Sequence, residues 1–180
     1  MREVEVKYQV QDTEALLLAL KERNIELSAP LYQDDQAYAP ECWSYGDSKL
    51  GVSFVRLRTV DEQHTFTLKR PTENAQSCEE YESAVADRAQ MHRAILAMGF
   101  RPTVRIAKIR RTADLPDLSL CVDEVTGLGT FLELERIVAD DVRGEAVQAE
   151  LAAFVTSLGI EAKRTHETYD SLVHTELASA

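Results

Sequence analysis

The chain has 180 residues, 44% hydrophobic and 28% charged, with 20 Lys and Arg against 31 Asp and Glu for a net charge of −11. This length supports one domain with a sizeable core, and no apolar run approaches the roughly 20 residues of a membrane helix. The negative charge argues against a nucleic acid polymer as partner. A small phosphate ligand stays open, because local arrangement decides that.

The beginning of the chain, Met1-Arg2-Glu3-Val4-Glu5-Val6-Lys7, lacks the apolar run of a signal peptide, so a cytoplasmic protein is expected. Residues 2–10 alternate Val4, Val6, Tyr8 and Val10 with Glu3, Glu5, Lys7 and Gln9, the period of a strand. Asp12 then caps a predicted helix over Thr13–Arg23, whose Leu16, Leu17 and Leu20 form a stripe. A strand is predicted at 33–39, and Cys42–Gly51, with Trp43 and Tyr45, reads as a flexible loop rather than a lid. Strands 52–60 and 64–70 follow, joined by a turn around Asp61-Glu62-Gln63, and then a strand at 79–86.

Asp87 caps a second helix, Arg88–Met98, which Gly99 stops; Met91 and Met98 are read as packing residues. Strands 103–112, 118–125 and 130–138 are separated by turns at Leu115-Pro116-Asp117 and Gly127-Leu128-Gly129. A third helix runs from about Gly144 to Leu158, and a short terminal helix is expected around Glu167–Leu177. Cys42, Cys78 and Cys121 form no C-x-x-C pair, and His64, His92, His166 and His174 have no metal-site spacing, so neither a disulfide framework nor zinc is indicated. Cys121 reads as a small core residue, His166 and His174 as surface.

The polar strand faces carry paired charges: Glu3, Glu5 and Lys7; Arg56 and Arg58; Glu80 and Glu82; Lys108 and Arg110; Glu133 and Glu135. Lys69 extends the face of Thr65 and Thr67, and Asp123 sits among Leu120, Val122 and Val125. One such pair on an exposed strand is an ordinary solvated face. Recurrence on successive strands, with Val4/Val6, Val55/Leu57, Phe66/Leu68 and Leu132/Leu134 on the opposite faces, places the charges inside and the helices outside. The expected fold is α+β: a closed eight-stranded antiparallel β-barrel or tunnel with helices packed outside, which leaves no exposed edges. Close like charges repel by about 4 kcal/mol per pair at ~4 Å and an effective dielectric near 20, so such a lining calls for an anion. A triphosphate matches the Arg and Lys groups, and the paired carboxylates suit Mg²⁺ or Mn²⁺.

The order Glu3-x-Glu5-x-Lys7, Arg56-x-Arg58, Lys69, Glu80-x-Glu82, Lys108-x-Arg110, Asp123 and Glu133-x-Glu135 resembles the CYTH superfamily of triphosphate tunnel metalloenzymes. That family includes class IV adenylyl cyclases, thiamine triphosphatases and inorganic triphosphatases. The stretch Val122–Glu135 and the segment from Tyr169 look most like the cyclase branch, and the resemblance implies a single tunnel domain over 1–180. It implies that Glu3, Glu5, Asp123, Glu133 and Glu135 hold one or two divalent cations, and that Lys7, Arg56, Arg58, Lys69, Lys108 and Arg110 grip the triphosphate. Glu80 and Glu82 would orient the basic residues or join a second metal, and Lys7, Glu5 and Glu135 are the catalytic candidates, Lys7 as a base if its pKa is lowered.

The chain departs from the family at Arg70, where a Gly usually precedes Pro, and at Cys78, where an Arg is usual. The expected activity is ATP to cyclic AMP and pyrophosphate, a lyase reaction. The alternatives are a hydrolase of thiamine triphosphate, inorganic triphosphate or a nucleoside triphosphate, and a non-catalytic triphosphate or polyphosphate sensor. The partner is then a small triphosphate, with neither nucleic acid polymer nor membrane, and the protein a monomer or homodimer.

Overall fold

The computed structural model describes residues 2–179. Its strands are β1 (Arg2–Val10), β2 (Leu31–Pro40), β3 (Phe54–Val60), β4 (Gln63–Asn74), β5 (Ser77–Val85), β6 (Phe100–Leu115), β7 (Leu118–Val125), β8 (Gly129–Val138) and β9 (Ala162–Thr165). The helices are α1 (Thr13–Glu22), α2 (Arg88–Ala97), α3 (Gly144–Ser157) and α4 (Tyr169–Ser179). The sheet runs β5-β4-β3-β2-β6-β7-β8-β1-β9, and a further β1–β5 pairing closes its first eight strands into an antiparallel barrel.

Local signals explain most of these boundaries. The Asp12 and Asp87 carboxylates accept the amides of Ala15 and Gln90, capping α1 and α2 as expected. The β3–β4 hairpin turns on Asp61 and Glu62, both at positive φ, the two-residue geometry that matches strand twist. The short strand β9 has no counterpart in the sequence reading: four residues, Ala-Lys-Arg-Thr, carry no alternation to recognise.

The seam of the barrel lies along β1. Its first residues pair with β5 (Glu3 opposite Cys78), and its last with β9 (Lys7 opposite Thr165 through Val10 opposite Ala162). Between them the Glu5 amide donates to the Gln76 carbonyl at 2.9 Å, and the Gln76 side chain donates to the Thr165 carbonyl at 2.9 Å. Gln148 of α3 reaches the Glu5 carbonyl at 3.1 Å, which leaves the seam hydrogen-bonded.

The main core lies outside the barrel wall. Val4, Val6, Leu132 and Leu134 of the sheet pack with Leu16 and Leu20 of α1 and Leu151 of α3, while Ile95 of α2 covers Tyr38, Val55 and Leu57. Helix α4 packs on β6, its Tyr169 set among Val104, Ile106, Val125 and Phe131. Leu151 is fully buried, so Leu151→Ala is expected to cost about 2–5 kcal/mol in urea unfolding; a loss below about 1 kcal/mol would contradict α3 as a core element.

Several smaller expectations change. Met98 is 58% exposed because it follows the last turn of α2, whereas Met91 packs inward. The loop 41–53 is tied down: Trp43 is buried against Tyr45 and Phe54, and Tyr45 stacks on His174 with ring centroids 3.7 Å apart. His174 is therefore a packing partner rather than a free surface group.

Candidate active site

Strand alternation sends one side chain in every two into the barrel, and the inward set is the charged one. A cavity of about 430 Å³ runs through it, lined by Glu3, Glu5 and Lys7 of β1, Arg56 and Arg58 of β3, and Lys69 of β4. Glu80 and Glu82 of β5, Lys108 and Arg110 of β6, and Glu133 and Glu135 of β8 complete that wall. Asp123 of β7 lies behind the wall, fully buried.

Register sorts these charges into two groups. Glu5 stands directly opposite Glu135 on the β1–β8 ladder, and Lys7 directly opposite Glu133. Like charges across a ladder destabilise it, yet Glu3, Glu5 and Glu135 offer carboxylate oxygens within 4.8 Å of one another. Burial, then the charges of Glu3 and Glu133, push the Glu135 carboxyl up to about 7, against a partial offset from Arg110. Hard oxygen donors this crowded fit a divalent cation, which would remove the repulsion.

In metal-free protein this crowding has a pH signature. The folded-state pKa of Glu135 lies above its unfolded value, so the folded chain binds the extra proton and stability falls as pH rises through about 4.5 to 7. The melting temperature in chelator should drop over that window, Glu135→Gln should flatten the drop, and Mn²⁺ should stabilise more at the alkaline end. A profile unchanged by the substitution would count against the cluster.

The other predicted metal ligands have different partners. Glu133 takes Lys7 Nζ at 3.1 Å and an Arg110 guanidinium nitrogen. Burial works against its charge, but Lys7, Arg110 and Lys108 outweigh that and hold its carboxyl well below the usual range. Asp123 accepts Lys108 Nζ at 2.8 Å, Arg110 Nε at 2.7 Å and the Tyr169 hydroxyl at 2.9 Å. Both acids serve as counter-ions to the basic wall rather than joining the three-carboxylate cluster.

The remaining cations are paired too. Lys69 bridges Glu3 at 2.9 Å and Glu80 at 2.6 Å, and Arg56 approaches Glu80 at 3.6 Å and Glu82 at 3.4 Å. Glu80 and Glu82 thus face the basic residues, with Glu82 half-exposed at the rim. Arg56 Nε is buried without a hydrogen-bond partner, a spare donor beside the cavity.

Arg58 forks onto Asp35 with two bonds of 2.7 Å, a residue absent from the sequence reading. Burial opposes the Asp35 charge, but Arg58 wins and its pKa is lowered. Its place in Gln33-x-Asp35, on the inward parity of β2, was the available signal; it went unread because Asp35 has no acidic neighbour two residues away.

Two further residues stand in the site without having been expected there, Tyr169 having been noted only for its resemblance to the cyclase branch. Tyr169 lies between the cations, with Lys7 Nζ 4.1 Å and Lys108 Nζ 4.7 Å from its ring centroid. Lys49, from the loop, reaches the cavity wall and donates to Thr168 at 2.6 Å and Asp170 at 2.9 Å. The condition for Lys7 as a base is not met: burial lowers its pKa, but Glu5 and Glu133 more than compensate and raise it. Lys108 is the depressed lysine, brought down to about 8 by burial and by Arg110.

Comparison with known proteins agrees with this geometry. The family model for the CYTH domain matches residues 1–169. The chain is 26% identical over 162 residues to a putative adenylate cyclase of Methanocaldococcus jannaschii, covering 89% of this chain and 91% of that one. It is 27% identical over 162 residues to the adenylate cyclase CyaB of Aeromonas hydrophila, covering 88% and 81%. Among solved structures, the PH1819 protein of Pyrococcus horikoshii superposes with a TM-score of 0.80 at 21% identity, over 97% of this chain and 99% of that one. A putative adenylyl cyclase from Hippeastrum, described as revealing a dominant triphosphatase activity, superposes with a TM-score of 0.63 at 18% identity, over 97% and 96%.

Proposed function

The chain belongs to the CYTH domain family, and from that premise we propose that it is a divalent-metal-dependent enzyme that converts ATP to cyclic AMP and pyrophosphate inside the barrel. The observation that carries this reading is the division of the interior into a three-carboxylate cluster and an adjoining wall of six cations borne by strands, with Lys49 added from the loop. A metal–triphosphate complex needs both halves. The relatives named as adenylate cyclases favour the cyclase over other triphosphate chemistry.

Glu3, Glu5 and Glu135 would hold Mg²⁺ or Mn²⁺, which when bound supplies Lewis-acid polarisation of a phosphoryl oxygen. The protein's part is positioning and charge stabilisation, which dominate phosphoryl and nucleotidyl transfer. Arg56, Arg58, Lys69, Lys108 and Arg110 line the cavity, and their present carboxylate partners can be exchanged for phosphate oxygens. Attack of the ribose 3′-oxygen on the α-phosphorus forms the cyclic ester as the bond from that phosphorus to its bridging oxygen breaks; the 3′-hydroxyl proton passes to solvent, and the basic wall takes the charge growing on departing pyrophosphate. The Lys7 ammonium, held charged by Glu5 and Glu133, acts as an electrostatic partner of the phosphates rather than as a base.

A second reading, hydrolysis of the triphosphate, is favoured by the triphosphatase activity described for the Hippeastrum neighbour. Water then replaces the 3′-oxygen and attacks the terminal phosphorus, the bond to the bridging oxygen breaks, the diphosphate leaves against the same wall residues and the proton passes to solvent. A non-catalytic sensor fits less well, since binding a polyanion alone does not call for three adjoining carboxylates. No helix among the described residues is long and apolar enough to cross a membrane, and a small triphosphate is the expected partner of a monomer or homodimer.

The test is an end-point assay with Mg²⁺ or Mn²⁺ on ATP, inorganic triphosphate and thiamine triphosphate in parallel. Cyclic AMP with matching pyrophosphate from ATP is the expected result. Phosphate without cyclic product would replace the cyclase by the hydrolase, and metal-independent binding without turnover would favour the sensor.

A further inference from the structure

Where the chain enters α4, three consecutive residues, Thr168, Tyr169 and Asp170, reach the cavity wall. Thr168 and Asp170 hold Lys49, at 2.6 and 2.9 Å. Tyr169, between them in sequence, is buried and engages the cations of the barrel itself. Its hydroxyl donates to Asp123 Oδ2 at 2.9 Å, the same oxygen that takes Lys108 Nζ at 2.8 Å. Asp123 also takes Arg110, Arg110 continues to Glu133, and Glu133 takes Lys7 at 3.1 Å. Lys7 Nζ then stands 4.1 Å from the centroid of the Tyr169 ring, so the contacts form a closed circuit that begins and ends on this tyrosine. Lys108 Nζ, 4.7 Å from the same centroid, makes a shorter circuit through Asp123.

Packing alone does not account for this placement. An aromatic side chain that only filled the space among Val104, Ile106 and Phe131 would have no charged partner at all. Here a T-shaped contact with Phe131, centroids 5.3 Å apart, and the hydrogen bond to Asp123 fix the plane of the ring. Two ammonium groups then lie within cation–π range of it. Apart from the ring, these lysines are partnered by carboxylates: Glu5 and Glu133 for Lys7, Asp123 for Lys108. The two kinds of partner act differently on a lysine that is to meet phosphate. A carboxylate occupies an N–H and has to be exchanged, whereas a ring attracts the charge as a whole and leaves the three donors of the ammonium open. Lys7 and Lys108 are each only 2% exposed, so water does little of this work.

We infer that Tyr169 is a positioning residue of the tunnel: its ring holds the Lys7 and Lys108 ammonium groups where a triphosphate meets them, with N–H donors free for phosphate oxygens. The inference rests on the triphosphate reading of the tunnel and adds to it a pre-orienting element that comes from α4, outside the barrel wall. Without the ring both lysines turn wholly onto their carboxylates, and part of the binding energy goes into drawing them back. A tyrosine that served only the core would leave ligand affinity alone.

The dissociation constant of inorganic triphosphate is read by calorimetry on the full chain, in chelator and again with Mg²⁺, with melting temperatures alongside. Tyr169→Leu keeps an apolar side chain and removes the ring, and should weaken triphosphate about tenfold or more. Tyr169→Phe keeps the ring and gives up only the hydrogen bond to Asp123. It should weaken the ligand less than about threefold, although both variants melt lower than wild type. Stepwise fluorination of the ring in Tyr169→Phe keeps its shape while draining its face, and affinity should fall with each step.

A folded Tyr169→Leu protein that binds triphosphate as wild type does would overturn the positioning role and leave the tunnel reading standing. Affinity indifferent to fluorination would overturn it as well. Equal weakening by Tyr169→Phe and Tyr169→Leu would assign the effect to the hydroxyl on Asp123 and remove the ring from the account. Wild-type protein that binds triphosphate in neither buffer would instead bring down the tunnel reading, and this inference with it. Should the Tyr169→Leu protein not fold, the fluorinated series decides alone.

Discussion

Replacing Glu5 and Glu135 together by Gln is expected to abolish metal-dependent turnover, by more than about 1,000-fold, since losing one transition-state charge partner already costs 10²–10³. The two carboxylates stand directly opposite on the β1–β8 ladder and form the cluster with Glu3. Gln keeps their size and removes their charge, so the change bears on cation binding more than on packing. The same double variant should melt higher than wild type in metal-free buffer near neutral pH, because it removes a carboxyl that burial first, and the neighbouring acids after it, push up to about 7. Lost turnover with a raised metal-free melting temperature separates an electrostatic cause from unfolding. A double variant that turns over at the wild-type rate would sink the metal assignment of these residues, and one that melts lower than wild type would show that the carboxylates are structural.

The second large effect is expected at Asp123, which is fully buried and accepts Lys108, Arg110 and the Tyr169 hydroxyl. Asp123→Ala leaves Lys108 without its ion-pair partner and Arg110 with Glu133 alone, and removal of one partner of a buried charge group costs about 3–5 kcal/mol. For a chain of this size that is a fall in melting temperature of roughly 6–20 °C. Asp123→Asn keeps an acceptor and should lose less. Triphosphate should then stabilise the Ala variant more than the wild type, because the polyanion replaces the missing counter-charge. An Ala variant within about 1 kcal/mol of wild type would show that Arg110 is compensated by Glu133 alone, and an equal ligand shift in both proteins would detach Asp123 from the phosphate wall.

These two predictions divide acids that look alike along the chain. Glu133 and Glu135 share one strand face, yet Glu133 faces Lys7 and Glu135 faces Glu5 across the ladder. Glu133 is consequently ionised as the counter-ion of Lys7 and Arg110, and Glu135 is crowded by like charge. Asp123 lies opposite Arg110 on the β6–β7 ladder, which commits it to the basic wall. Two residues along a strand is about 7 Å, enough to change a carboxylate from a member of the three-carboxylate cluster to a counter-ion.

What the sequence by itself determined is local and periodic. Period-two alternation located the eight strands that close the barrel, and the same parity marked which charges turn inward. Asp12 and Asp87, with side chains short enough to reach amides three residues ahead, set the starts of α1 and α2. The paired spacing of Glu, Arg and Lys along successive strands was enough to name the family before any coordinate was known.

What only the tertiary structure decided is which inward residues meet. Alternation assigns a face but carries nothing about the neighbouring strand, the register or the closure of the barrel. So it could not separate the Glu3–Glu5–Glu135 cluster from the counter-ions Asp123 and Glu133, nor pair Asp35 with Arg58. It likewise missed β9, which exists because β1 outruns β5 and leaves backbone groups to satisfy. The place of Tyr169 between two lysines arises for the same reason: the contact spans over a hundred residues of chain, and only folding brings its members within 5 Å.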